Sequence, residues 1–175
     1  LPNGSGVAFS PDGKWLLKTT GPDNIAQLWD SSTGELLVTF SGHSDELVNI
    51  AFSPTGGNVA TTSMDGTAKI WDATTGKKLM TLRGHRGAVY FVAFSADGKR
   101  IATTSWDGTV KVWDAKTGEV LFTLNGHKGG IFGVAFSQDG KHLVTGSWDK
   151  TAKIWNLETG RELHTLCGHE QEVWG

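Results

Sequence analysis

The sequence has little of what several protein classes require. It contains one cysteine, Cys167, among 175 residues, so no disulfide framework can form within one chain. The same scarcity favours a reducing compartment, and we expect a cytoplasmic protein. No apolar run approaches the roughly 20 residues that a membrane-spanning helix needs, so we expect no membrane association. A formal net charge of −2 gives no general attraction to nucleic acid, and we expect no nucleic-acid partner.

Proline is also scarce, whereas glycine and large aromatic residues are frequent. The chain has 4 prolines against 24 glycines, 8 tryptophans and 8 phenylalanines. This composition argues against disorder, because the aromatic side chains supply a core. It is typical of short strands joined by tight turns.

Two dipeptides recur through the sequence at a constant spacing of 42 residues. Gly-His begins at Gly42, Gly84, Gly126 and Gly168. Trp-Asp begins at Trp29, Trp71 and Trp113, and Trp155-Asn156 fills the fourth position. Two independent motifs in one register indicate an internal repeat, which is the first feature to interpret in any sequence.

Each repeat predicts four short strands. In the third repeat these are residues 88–95, 100–105, 109–113 and 120–124, separated by turns rich in Asp and Gly. Four antiparallel strands of this length form a small twisted sheet that cannot bury both of its faces alone. Stacking such sheets face to face around an axis buries them, which explains why the unit is repeated.

Each repeat runs in the order Gly-His, an apolar-Ala-Phe-Ser strand, Asp-Gly-Lys, Ser-Trp-Asp-Gly and Val-Trp-Asp. This order resembles the WD40 repeat, and the turns at residues 10–14 and 72–77 resemble those in WD40 arrays of bacterial and fungal signalling proteins. The resemblance implies an all-β propeller domain over residues 1–175, with four four-stranded antiparallel blades. The expected limits are about 7–41, 42–83, 84–125 and 126–167 for blades 1 to 4, and 168–175 for a closing segment that starts the next blade.

Every repeat carries Ser, His and Asp, the side-chain types of a hydrolase triad. An active site is normally built once, however, and a set present in every blade serves something that every blade needs. We therefore expect no catalytic residue, no metal site and no cofactor.

The resemblance instead implies a buried hydrogen-bond network in which Asp bonds His, His bonds Ser, and Ser bonds the Trp indole. Thr103, Thr104 and Ser105 are all candidates for the hydroxyl in the third repeat, and the family pattern favours Ser105. The network residues are then His43, Ser63, Asp65, Trp71, His85, Ser105, Asp107, Trp113, His127, Ser147, Asp149, Trp155 and His169, with Thr20, Asp23 and Trp29 in the incomplete first repeat.

The two ends of the sequence are complementary. Residues 7–10 match the second half of a first strand, and residues 172–175 match the first half of one. The tail of one copy could complete the first blade of another, because open sheet faces and unpaired polar groups are costly. This predicts a homodimer through the terminal blades that closes an eight-bladed ring. The alternative is a segment of a longer array.

The resemblance also implies a contact surface on the top face of the propeller. The positions that point there are Glu46, Val48, Met64, Tyr90, Trp106, Phe132, Trp148 and Trp174. Exposed aromatic side chains are typical anchors of interfaces, although these could instead pack on one another across the channel mouth. We expect a scaffold for protein or peptide partners. A regulatory or sensor segment of a larger signalling protein is the alternative, and a hydrolase is the least supported.

One repeated slot is filled differently in the first repeat. Trp15 occupies the position of Asn58, Arg100 and His142, so we expect its side chain to be exposed. Apolar residues that keep fixed slots are instead expected in the core between blades: Phe52, Phe94, Phe136, Ile70, Val112 and Ile154.

Overall fold

The computed structural model describes residues 6–20 and 23–174, and every regular element in these ranges is a β-strand. Sixteen strands form four four-stranded antiparallel sheets, which confirms the predicted all-β class and blade architecture. Gly21 and Pro22 of the first repeat, and the last residue of the closing segment, Gly175, lie outside the described residues. Within the described ranges there is no helix long and apolar enough to cross a membrane.

Each sheet takes four consecutive strands in sequence order, so each is one blade. Blade 1 contains β1 (Val7–Phe9), β2 (Trp15–Thr20), β3 (Ile25–Asp30) and β4 (Leu36–Ser41). Blade 2 contains β5 (Leu47–Phe52), β6 (Asn58–Ser63), β7 (Ala68–Asp72) and β8 (Lys78–Leu82). Blade 3 contains β9 (Val89–Phe94), β10 (Arg100–Ser105), β11 (Thr109–Asp114) and β12 (Val120–Asn125). Blade 4 contains β13 (Ile131–Phe136), β14 (His142–Ser147), β15 (Ala152–Asn156) and β16 (Arg161–Leu166).

The blades meet along their first strands. Strand β5 contacts β1 and β9, and β9 contacts β13, so the first strands line the inner side of the array. Successive blades therefore fan outward from a common inner edge, as the blades of a propeller do.

The hydrophobic core lies between the blades rather than inside any one of them. Three clusters fill the three junctions, and each contains the repeated Trp of the later blade, namely Trp71, Trp113 or Trp155. Ile70 and Val112 are buried in these junctions, as the repeat predicts. Phe52, Phe94 and Phe136 are only partly buried and pack against the edges of the clusters.

The outer faces of blades 1 and 4 carry apolar residues like those of a blade junction, but no neighbouring blade covers them among the described residues. Val7 and Phe9 are 64% and 65% exposed, whereas Ile50 and Val92, in the slot of Val7, are buried. On blade 4, Val144 and Leu166 are 40% and 46% exposed. Their counterparts in the three earlier blades are buried, and they are Leu17, Phe40, Ala60, Leu82, Ala102 and Leu124. Ile154, predicted as core, is half-buried for the same reason.

Candidate functional site

A chain of hydrogen bonds holds the loop that begins blade 2 against the blade. The Trp71 indole Nε1–H donates to Thr61 Oγ1 at 2.9 Å, and Thr61 Oγ1 lies 2.8 Å from His43 Nε2. His43 Nδ1 lies 2.8 Å from Asp65 Oδ2. Because the indole can only donate, the threonine hydroxyl donates onward to His43, and the other ring nitrogen of His43 donates to Asp65.

Blades 3 and 4 repeat this chain with distances of 2.8–3.1 Å. The members are Trp113, Thr103, His85 and Asp107 in blade 3, and Trp155, Thr145, His127 and Asp149 in blade 4. The residue types of this set are the same in blades 2, 3 and 4, so the network supports the fold of each of these three blades.

The structure corrects the identity of the hydroxyl in this chain. Ser105 lies beyond a register shift between Thr104 and Ser105, at the end of β10. Its Oγ accepts from the Asp107 backbone N–H at 3.1 Å and donates to the Gly87 carbonyl at 3.2 Å. Ser63 and Ser147 make the same kind of contacts, so the serines close the turn while the threonines two residues earlier join His to Trp.

Burial and hydrogen bonding fix the charges of the network. Burial lowers the pKa of His43, His85 and His127 below the ordinary value, and this effect outweighs the neighbouring aspartates. Burial alone would raise the pKa of Asp149, but hydrogen bonds from Thr151, the Lys128 backbone and His127 lower it to about 2. The imidazoles are therefore neutral and the carboxylates ionised near neutral pH.

Blade 1 and the tail do not assemble this network within the described residues. Lys18 occupies the slot of Thr61, and the hydroxyl of Thr20 donates to the Ile25 carbonyl at 3.3 Å. Asp23 is exposed and Trp29 is half-buried. His169 is exposed on the tail. In residues 6–20 and 23–174, no three His, Cys, Asp or Glu side chains are grouped as a metal site requires.

Five aromatic side chains at the top of blades 3 and 4 form one aromatic cluster, made of Tyr90, Trp106, Phe132, Trp148 and Trp174. Phe132 is its centre, and its ring centroid lies 4.6 Å from that of Tyr90 and 4.9 Å from that of Trp174. The Trp106 and Trp148 centroids are 4.8 Å apart. Such tilted and edge-to-face arrangements are the favoured geometry of aromatic pairs.

The members of the aromatic cluster differ in exposure. Tyr90 and Phe132 are buried beneath the indoles, so the sequence-based expectation that they point to the surface is wrong. Trp106, Trp148 and Trp174 are 48%, 43% and 51% exposed. The five rings thus pack on one another and also present a surface, because the two inner rings support the three half-exposed indoles.

A glycine and the tail make this arrangement possible. A Cβ at Gly130 would lie 2.9 Å from Trp106 Cε3 and 3.1 Å from Phe132 Cε2, so a side chain there would displace the indole. The tail brings Trp174 to the cluster through the backbone of Val173, which donates to the Ser147 carbonyl at 3.0 Å. Glu172 Oε1 accepts from the Trp148 indole at 2.6 Å.

The remaining predicted surface residues lie on blade 2. Met64 and Glu46 are adjacent, because the Met64 backbone N–H donates to the Glu46 carbonyl at 2.9 Å. Both residues and Val48 are half-buried.

The Glu172 contact with Trp148 joins two residues 24 positions apart, and no spacing in the sequence indicates it.

Comparison with known proteins identifies the repeat. The family model described as WD domain, G-beta repeat matches residues 5–30, 34–72, 76–114 and 118–156. An uncharacterized WD repeat-containing protein of Synechocystis sp. is 33% identical over 57 residues, which is 33% of this chain and 16% of that protein. The WD40 repeat-containing protein HOS15 of Arabidopsis thaliana is 33% identical over 51 residues, 29% of this chain and 8% of that protein. The matched segments are thus a small part of either relative.

Proposed function

Because the chain belongs to the WD40 repeat family, we propose that it is a protein-interaction scaffold whose aromatic cluster is the contact surface for a protein or peptide. The family's propeller fold is typically a non-catalytic platform, and WD40 repeats generally mediate protein–protein interaction. The partner is therefore expected to bind an existing rigid surface.

The observation that carries the proposal is the half-exposure of three indoles within one aromatic cluster, in which Trp106 contacts Trp148 and Trp174 contacts Phe132. The repeated tryptophans Trp71, Trp113 and Trp155 are buried between blades, whereas Trp106, Trp148 and Trp174 are not. Contiguous exposed aromatic surface marks interaction sites, and tryptophan is enriched among the residues that dominate binding energy. The buried rings of Tyr90 and Phe132 hold the indoles in place, which lowers the ordering cost of binding.

The repeated polar residues support a non-catalytic role. The Thr103 hydroxyl is fully buried and engaged by both Trp113 and His85, so substrate has no access to it. The Ser105 hydroxyl is also fully buried and is bonded to main-chain groups. A nucleophile requires both exposure and an adjacent base, whereas Thr103 has an adjacent imidazole but no exposure and Ser105 has neither.

The length of the relatives favours a second possibility, that the chain acts as a regulatory segment within a larger signalling protein. The matched stretches make up only 16% and 8% of the two WD-repeat proteins. In that setting the aromatic cluster would receive a segment of another domain. A cytoplasmic location accords with either role, since the sequence contains a single cysteine.

Selection from a displayed library of random peptides tests the contact surface. Peptides enriched on the wild-type chain should bind the Trp106→Ala, Trp148→Ala variant at least about tenfold more weakly, since each anchor is worth about 2 kcal/mol. The matched control is Leu79→Ala, Leu121→Ala, which removes exposed apolar side chains from the outer strands. Equal affinity for wild type and the tryptophan variant refutes this placement.

We also propose that the outer faces of blades 1 and 4 pair between two copies to close an eight-bladed ring. Val7 on one side and Val144 and Leu166 on the other occupy slots that are buried at internal junctions, and Phe9 occupies a slot that is partly buried there. Light scattering should give twice the 18.8 kDa chain mass, and Val144→Lys should give a folded monomer. A wild-type monomer at micromolar concentration contradicts the pairing.

A further inference from the structure

A groove of about 420 Å³ opens at the end of the blades opposite the aromatic cluster. It lies between two equivalent turns, residues 10–14 after β1 and residues 53–57 after β5. Its walls include Pro11, Asp12 and Trp15 from blade 1 and Pro54, Gly56 and Gly57 from blade 2. Trp15 lines the groove and is half-buried rather than exposed as expected, because it also packs against the core between blades 1 and 2.

The equivalent junction between blades 3 and 4 is filled by a side chain of the protein itself. Arg100 Nη2 donates to the Gly140 carbonyl at 2.6 Å, and the guanidinium carbon lies 5.9 Å from the Phe136 ring centroid. The positive charge of Arg100 also acts on the carboxylate of Asp97 in the adjoining turn. This junction shows what the site accepts, namely a planar cation between a carbonyl, an aromatic ring and a carboxylate.

The repeat identifies which residues of the open groove are equivalent to those of the filled junction. Trp15 occupies the slot of Arg100, Gly56 the slot of Gly140, and Asp12 the slot of Asp97. Among the described residues, no side chain donates to the Gly56 carbonyl. The groove therefore keeps the acceptor and the carboxylate of the filled junction but lacks the guanidinium.

Asp12 is held in the same way as Asp97. Its Oδ1 accepts from Ser10 Oγ at 2.7 Å and from the Lys14 backbone N–H at 3.2 Å. The second oxygen lies 3.6 Å from Lys14 Nζ, and both side chains of this pair are largely exposed. Exposed pairs of this kind are weak, so Asp12 is free to exchange Lys14 for a better-oriented cation.

The junction between blades 2 and 3 lacks this combination. Asn58 replaces the aromatic residue and Thr55 replaces the carboxylate. The blade 1–2 groove is thus the described junction that combines an open volume, an acidic side chain and a half-buried indole.

We propose that this groove binds an arginine side chain of a peptide or protein segment. The guanidinium donates to the Gly56 carbonyl oxygen, pairs with Asp12 and stacks on the Trp15 indole, while Pro11 and Pro54 contact its methylene groups. Arginine suits the site because its flat fork of donors serves a carbonyl and a carboxylate while its face lies on a ring. The proposal does not depend on the function of the aromatic cluster.

A titration of the isotope-labelled chain with the peptide acetyl-Gly-Arg-Gly-amide tests the site by NMR. We expect shifts of the Trp15 indole N–H and the Gly56 amide. The neutral isostere with citrulline should bind at least about tenfold more weakly, and the lysine peptide should also bind more weakly. Shifts confined to the aromatic cluster, or equal affinity for arginine and citrulline, overturn the proposal. Equal affinity for arginine and lysine overturns the choice of arginine.

Matched variants separate binding from folding. Asp12→Asn should weaken binding about two- to fivefold, as expected for one partly exposed ion pair. Asp139→Asn, in the same turn of blade 4, is the control and should leave the affinity unchanged. Trp15→Arg should abolish peptide binding, because its own guanidinium reproduces the Arg100 contact. If Trp15→Arg does not fold, the comparison of the two aspartate variants decides, and equal effects of both refute the assignment.

Discussion

The replacement of Thr103 by valine is the perturbation that most sharply tests the hydrogen-bond network. Valine keeps the shape but removes the hydroxyl that accepts from the Trp113 indole at 2.8 Å and lies 2.9 Å from His85 Nε2. The Trp113 Nε1–H and the His85 Nε2 atom then lose their partner in a buried site, while His85 Nδ1 keeps its bond to Asp107. Each such group costs about 1–3 kcal/mol, so we expect a loss of about 2–4 kcal/mol in the free energy of unfolding. The value stays below the simple sum because contacts within one network are not additive.

The neighbouring Thr104 provides the matched control. It is equally buried, and its Oγ1 has no hydrogen-bond partner among the residues that the structure describes. Thr104→Val therefore removes a desolvated, unpaired hydroxyl, and we expect no loss of stability or a gain of up to about 1 kcal/mol.

Urea unfolding followed by tryptophan fluorescence measures both variants, with the slope against urea checked for constancy. Equal destabilisation by Thr103→Val and Thr104→Val would refute the assignment of the network. A larger loss in the free energy of unfolding for Ser105→Ala than for Thr103→Val would indicate that Ser105, and not Thr103, joins His85 to Trp113.

Two further predictions concern protonation and the aromatic cluster. The pKa values of His43, His85 and His127 are lowered in the folded chain, so the unfolded chain takes up protons first as the pH falls below about 7. Stability should therefore decline from pH 7.5 to 5.5, by at most about 1.4 kcal/mol per pH unit for each histidine, and a constant urea midpoint would contradict this. Gly130→Ala should displace Trp106, reduce the near-ultraviolet circular dichroism and weaken peptide binding, whereas Ala88→Gly in the same slot of blade 3 should do neither.

The strand order and the blade stacking could be predicted because they depend on a strict repeat. Glycine in the turns, apolar alternation in the strands and the 42-residue spacing all indicate the same unit. The location of Ile70 and Val112 between blades follows from that periodicity alone. Agreement between local pattern and global fold is what makes such a sequence predictable.

The choice between Thr103 and Ser105 could not be made from alternation, since residues two apart lie on the same face of a strand. The structure decides it, because Thr103 Oγ1 lies within hydrogen-bond distance of both His85 and Trp113, whereas the Ser105 hydroxyl bonds main-chain groups. These contacts cross between strands and loops, and alternation within one strand does not indicate them.

Which rings of the aromatic cluster are buried and which are exposed also could not be predicted from the sequence. The repeat places Phe132 and Trp106 at comparable top-face positions, but their exposure depends on how close neighbouring blades approach. Gly130 allows that approach, and the tail adds Trp174 from a segment without regular structure. Non-local contacts therefore determine which rings are buried and which are presented.

The central claim is that the repeated polar network stabilises the blades while the non-repeated aromatic cluster binds the partner. The most direct test measures, for Thr145→Val and Trp148→Ala, the dissociation constant of a selected peptide together with the free energy of unfolding. We predict that Thr145→Val lowers stability and leaves the dissociation constant within about twofold. Trp148→Ala should raise the dissociation constant about tenfold and change stability by less than about 1 kcal/mol. The reverse pattern, with binding lost through Thr145 and retained without Trp148, would contradict the account.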